Sequence, residues 1–163
     1  MLVVRATKRL LLRLEQPTLG EGEQSTTLLG QWYATVLRWR PQVALLVNEP
    51  TLLPVLMPLA PAATLLARIP EQITRVMAAH GVPEQIIDAE RERMRQRRVA
   101  STANRSVVGI MNEFTFLADA WRGDHRDLLD LAVRLAATPC GPLHPTHISP
   151  ERALAAHLSA VEP

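Results

Sequence analysis

The densest chemistry in this chain is carried by arginine. Arg91, Arg93, Arg95, Arg97 and Arg98 lie close together, and Arg105 follows soon after. A guanidinium is permanently charged and presents a planar fork matched to carboxylate and phosphate. On a continuous helix Arg91, Arg95 and Arg98 would share one face, because residues three and four apart are neighbours there. Such a stripe would hold nucleic-acid phosphate or an acidic protein partner in a salt-dependent way. Glu90 and Glu92 offset part of the charge, and the competing reading is a solvated helix face. From Val82 to Val107 no aromatic residue is present to stack on a base, which argues against single-strand recognition.

Asn104-Arg105-Ser106 is the sharper motif. It stands where a loop enters a predicted helix, and free N–H groups at such an end favour an anion. Arg105 could add a bidentate contact to phosphate or carboxylate. The structural alternative is an N-cap, with Asn104 or Ser106 satisfying the helix end and Arg105 pairing with a carboxylate such as Glu49. If Asn48-Glu49 and Asn104-Arg105 meet in space, a polar pocket results, for which Asn48, Glu49 and Asn112 are the lining candidates.

Cys140, His144 and His147 have the spacing Cys-x3-His-x2-His, and these residue types bind zinc. A structural site would need a fourth ligand, for which His125 is one choice. Pro139, Pro142 and Pro145 crowd the same loop and no CxxC pair exists, so the segment reads as a proline-rich surface loop without a metal. No G-x-S-x-G, P-loop or G-x-G-x-x-G is present. Glu90 and Glu92 would point to different helix faces and make a poor acid–base couple. No catalytic residue and no cofactor is assigned. An enzyme, if there is one, would be a small nuclease or transferase using Arg105 and Glu49.

The elements that must position these groups divide the chain into an early strand region and a late helical one. Leu2, Val4 and Ala6 alternate with Val3, Arg5 and Thr7, a strand pattern, and Thr7 can cap a helix carrying Leu10, Leu11 and Leu14. Residues 16–27 read as an exposed polar loop. Strands are expected from Trp32 to Trp39, from Val43 to Val47 and from Leu52 to Met57, the last at a sheet edge because Pro54 lacks a ladder donor. Trp32, Tyr33 and Trp39 are placed in the core, and Trp121 is the exposed aromatic. Helices follow: from Pro70 to Gly81, from Pro83 to about Arg98, from Asn104 or Ser106 to about Trp121, through Leu128 to Leu135, and from Ser149-Pro150 through Leu158. A short strand near residues 99–102 interrupts them.

Several of these stretches occur together in a family of small, uncharacterised bacterial proteins, classed as a domain of unknown function. The chain resembles that family in the opening strand with Thr7-Lys8, in Gly30-Gln31-Trp32-Tyr33-Ala34, and in Leu46-Val47-Asn48-Glu49 with Thr51-Leu52. The resemblance is most specific at Thr102-Ala103-Asn104-Arg105-Ser106-Val107, followed by Gly109, Met111 and Asn112. It covers roughly residues 1–118 and implies a bacterial cytosolic protein of one domain. It implies no activity, substrate or cofactor.

Composition fits that picture. The 163 residues are 47% hydrophobic, which excludes a disordered tail, and suit one compact domain. Eighteen basic residues, all arginine but Lys8, face sixteen acidic ones for a net charge of +2. One cysteine excludes an internal disulfide and suits a reducing cytoplasm. The longest charge-free stretch, Pro50 to Ala67, is interrupted by Pro54, Pro58 and Pro61, so no membrane span is expected, and Arg5, Lys8, Arg9 and Arg13 within the first apolar run argue against a leader. The expected fold is α+β: a small, mainly antiparallel meander packed with about four to five helices in a single compact domain. Residues 1–123 would form its core and residues 124–163 a helical extension packed on it. The leading functional reading is a non-enzymatic macromolecule-binding protein that uses the basic helix and the Asn-Arg-Ser helix start. The alternatives are a small enzyme or ligand-binding protein with a pocket around Glu49, Asn104 and Arg105, or a homodimer formed through the edge strand.

Overall fold

Five short runs rich in β-branched and aliphatic residues pair into one sheet. A computed structural model describes residues 1–15, 17–125 and 127–161; Gln16, in the expected polar loop, lies outside them. The strands are β1 (Leu2–Ala6), β2 (Trp32–Leu37), β3 (Val43–Asn48), β4 (Pro54–Pro58) and β5 (Arg97–Ser101), in the spatial order β4-β3-β2-β1-β5. The expected meander is β2–β3–β4, with Trp32 opposite Asn48 and Val43 opposite Pro58. β1 then pairs parallel with both neighbours, Val4 facing Trp32 on one side and Val99 on the other, so the α+β sheet is mixed. A parallel pair needs a long crossover. The chain between β1 and β2 provides one, and the two helices before β5 provide the other.

Alternation sends successive side chains to opposite faces, and each face has its own core. Val4, Trp32, Ala34 and Leu46 pack with Leu10 of α1 (Lys8–Leu11), Ile73 of α2 (Leu65–Ala79), Ile87 of α3 (Glu84–Arg93) and Leu154 of α6 (Pro150–Val161). Tyr33, Leu37, Leu45 and Val47 pack with Val107, Met111 and Phe114 of α4 (Arg105–Trp121) and Leu131 of α5 (Leu128–Ala136). Among the described residues six α-helices thus accompany the sheet, against about four to five expected.

Two helix boundaries differ from the sequence expectation. Pro70 lies inside α2, which starts at Leu65. An interior proline costs about 3 kcal/mol. The extension buries Leu65, Leu66 and Ile69, each contributing about 1.5–3 kcal/mol, and that outweighs the proline. At the other end Gly81, with φ +78°, closes the helix as expected, and Val82 N–H donates to the Met77 carbonyl (3.1 Å). α3 ends at Arg93 rather than near Arg98, because Arg97 to Ser101 are drawn into the ladder beside β1, where Val99 is buried.

β4 lies at the sheet edge, as Pro54 requires. That edge is closed. Every residue from Leu52 to Met57 is buried, backbone included, and α5 lies against the strand, contributing Leu131 and Leu135 to one core and Ala136 to the other. Dimerisation through this strand therefore has no open ladder to use. The opposite edge is partly covered as well, since Leu19 N–H donates to Val99 (2.8 Å) and Val99 N–H to Pro17 (3.1 Å). Trp32 and Tyr33 are core residues, whereas Trp39 is only half-buried, with the Arg122 guanidinium 5.0 Å from its ring centroid. Trp121 is half-buried too, beneath Arg134.

Candidate functional site

The site grows from how β1 and β5 end. They lie side by side and parallel, yet the helices that follow them leave for opposite faces: α1 packs with the Val4 face and α4 with the Tyr33 face. Where neighbouring parallel strands do this, a crevice opens outside their carboxyl ends. Here a hollow of about 450 Å³ reaches Ser101 at the end of β5, and a second of about 330 Å³ shares Arg5 and Leu19 with it and runs back along β1 past Val3 and Ser25, the two forming one trough. The larger is walled by Leu11, Leu14, Leu19 and Val99 with Ser101; the smaller is polar, with Glu23, Gln24 and Gln31.

Arg5 is half-buried and braced. Its Nε donates to Gln31 Oε1 (2.9 Å) and a terminal nitrogen donates to the Ser101 carbonyl (2.9 Å). Gln31 donates in turn to Glu49 through its amide nitrogen. The other Glu49 oxygen accepts from Asn104 Nδ2 (3.2 Å). Asn104 Oδ1 then accepts from Ser106 N–H (2.9 Å) and Val107 N–H (3.4 Å), and Asn104 N–H donates to the Tyr33 hydroxyl (2.9 Å). Four segments distant in sequence are therefore linked as Arg5–Gln31–Glu49–Asn104. The Arg5 end of this chain lines the trough, while Glu49 and Asn104 stand behind Gln31.

The expected meeting of Glu49 with Asn104 is present, but the pocket differs from the one expected. Arg105 is exposed and makes no ion pair among the described residues. Ser106 is exposed with its N–H spent on the cap, and Asn112 is exposed on α4, so neither lines the trough. Asn48 is fully buried and builds a turn, donating to the Leu29 carbonyl (2.8 Å) and accepting from the Thr51 hydroxyl (2.7 Å). The helix end is the ordinary N-cap of the structural alternative, with Asn104 as the capping residue.

The arginine stripe is not a helix face. Arg91 is on α3, Arg95 is in the following turn and Arg98 is on β5. Each has an acidic neighbour: Asp88 at 2.6 Å, Glu92 at 2.8 Å and Glu23 at 3.5 Å, respectively. Cys140 is buried with its Sγ near the Thr138 carbonyl (3.5 Å), and burial pushes its thiol up to about 11, with Glu113 adding to the shift. Among the described residues no group of three or more His, Cys, Asp or Glu side chains is placed to hold a metal.

Sequence reasoning missed Arg5, Gln31 and Glu90. Glu90, read as part of a solvated face, is fully buried and accepts from the Leu28 N–H (2.7 Å) and the Leu29 N–H (2.9 Å). Burial raises its carboxyl above the usual range, opposed by those N–H groups, Arg93 and His157. Together with Asn48, which grips the Leu29 carbonyl, Glu90 pins residues 28–31 and so fixes where Gln31 stands. The available signal was the isolated polar Arg5 in an apolar strand; Glu90 had none.

No helix among the described residues is long and apolar enough to cross a membrane. No curated protein and no solved structure matches the chain. A family model described as Domain of unknown function (DUF6933) matches residues 3–153, and the chain belongs to that family.

Proposed function

We propose that this chain is a ligand-binding protein whose site is the trough at the carboxyl ends of β1 and β5. The observation that carries this reading is the chain Arg5–Gln31–Glu49–Asn104, which braces one cation at the crevice. Buried or half-buried polar groups on rigid elements at a concave mouth are the usual arrangement of a binding site. Hydrolytic machinery is not part of the reading, since among the described residues no hydroxyl lining the trough is hydrogen-bonded to a histidine or a carboxylate. Residence in a bacterial cytoplasm belongs to the same proposal and rests on the single free thiol and the family resemblance.

The other reading, a protein that holds nucleic acid or an acidic protein on Arg91, Arg95 and Arg98, ranks second. Its support is the local density of arginine at the α3–β5 corner. Its weakness is that each of the three already has a carboxylate beside it. A small-molecule panel scored by thermal shift separates the readings, run on the wild type and on Ser101→Trp, which narrows the trough at an exposed rim position. Hits that stabilise the wild type and lose their effect in the variant support the trough. Hits that are indifferent to the substitution, beside salt-dependent binding of a DNA duplex, would favour the arginine corner.

A further inference from the structure

We infer that the trough takes an amphipathic organic monoanion, its carboxylate on Arg5 and its apolar body against Leu11, Leu14 and Leu19; this rests on the trough being a ligand site. Of the five N–H donors of a guanidinium, Arg5 commits one on Nε and one on a terminal nitrogen to protein acceptors. The others have no protein acceptor within hydrogen-bond reach among the described residues. No carboxylate lies within 4.0 Å of Arg5 among them either. The acids nearby are engaged elsewhere: Glu23 with Arg98 (3.5 Å) and with the Gly20 N–H (2.7 Å), and Glu49 with Gln31 and Asn104. A braced guanidinium with a free edge is a preorganised receptor for a planar anion, because little side-chain freedom remains to be lost on binding.

The walls set the remainder of the ligand. Leu11, Leu14 and Leu19 are half-exposed and line the larger hollow beside Arg5. Covering them with an aliphatic or aromatic body removes apolar surface from water. Among the described residues Arg5 is the sole cation lining either hollow, and the Glu23 carboxylate of the smaller one is already paired with Arg98 (3.5 Å), so a second negative charge on the ligand would have no partner there, and a cationic head beside Arg5 would be repelled.

The test compares octanoate, 1-octanol and octylamine on the full chain by calorimetric titration and thermal shift. These probes share one apolar body and differ in head charge. Octanoate is expected to bind about tenfold or more tighter than octanol, and octylamine weakest, the size expected of a charge-assisted pair. Arg5→Gln should reduce octanoate to the level of octanol while leaving octanol unchanged. Leu14→Asp, at a half-exposed position remote from the Arg5 hydrogen bonds, should abolish the octanoate preference with Arg5 intact, and it serves if Arg5→Gln does not fold. Equal binding of all three probes, or preference for octylamine, overturns the anion assignment and leaves the trough as a site. Binding of none overturns both.

Discussion

Removing the Glu90 carboxylate is the most direct way to ask whether one buried acid organises the segment that leads into the site. Glu90 is fully buried, and each of its oxygens accepts one backbone N–H, from Leu28 and from Leu29. A hydrogen bond contributes about 0.5–1.5 kcal/mol net, and a buried donor left without a partner costs about 1–3 kcal/mol. Glu90→Ala strands both donors, while relieving the carboxylate of its desolvation. We expect a net loss of about 2–4 kcal/mol, which for a chain of this size is a fall of about 5–12 °C in Tm. Glu90→Gln keeps one acceptor and turns an amide N–H toward the second donor, so its loss should fall between wild type and Glu90→Ala. The control is Glu92→Ala, two residues away, which breaks only an exposed contact to Arg95 and should cost less than about 0.5 kcal/mol. Urea unfolding followed by circular dichroism gives all three values. A Glu90→Ala variant as stable as Glu92→Ala would refute the reasoning, because the Leu28 and Leu29 donors would then be satisfied without the carboxylate.

Four further outcomes follow from the geometry. Glu90 has a folded pKa raised above its ordinary value, so its contribution is full below about pH 4.5 and is lost as pH rises through the folded pKa; the wild-type advantage over Glu90→Gln should therefore shrink upward from that pH in paired unfolding curves, and growth of the advantage would contradict the assignment. Asn104→Ala should cost about 1 kcal/mol for the lost cap, and Asn104→Asp, which keeps the cap but faces Glu49 with like charge, should regain stability as the pH is lowered. Cys140, buried and shifted to about 11, should react with a maleimide at pH 8 about 100-fold more slowly than an unfolded thiol; rapid labelling would mean that its pocket opens. Arg91→Ala should move stability by less than about 0.5 kcal/mol in the same urea assay, since its partner Asp88 is exposed.

The parts of the fold legible in the sequence were those where local pattern and tertiary demand agree. Val43 to Val47 is an unbroken apolar run and forms the interior strand β3; Pro54 marked β4 as an edge; Asn104 had the chemistry of a cap and serves as one. The rest was decided by partners far away in sequence. Nothing local to Arg97 and Arg98 outweighs the helical continuation suggested by the preceding ten residues; β1, ninety-five residues upstream, turns them into strand, with Leu2 opposite Arg97. Glu90 looks like any helical surface acid until the Leu28–Leu29 N–H groups arrive beside it. The site was half legible for the same reason. Glu49 and Asn104 stand out as polar residues at element ends, whereas Arg5 and Gln31 gain meaning only once β1 and β5 are known to run parallel and part.

The closure of β4 by α5 has a consequence for how this protein fails. Leu52 to Met57 is an aliphatic run without charge, the composition that stacks readily between copies of a chain. Its only intrinsic brake is Pro54; α2 packs on one of its faces, and the further cover comes from α5, a helix of nine residues that also ties the two cores together. Partial undocking of α5 would therefore release a sticky edge while most of the sheet still stood. Aggregation of a destabilised variant should then begin at α5, ahead of global unfolding, and substitutions at Leu131 or Leu135 should precipitate the protein at temperatures where an equally destabilising change in α3 leaves it in solution.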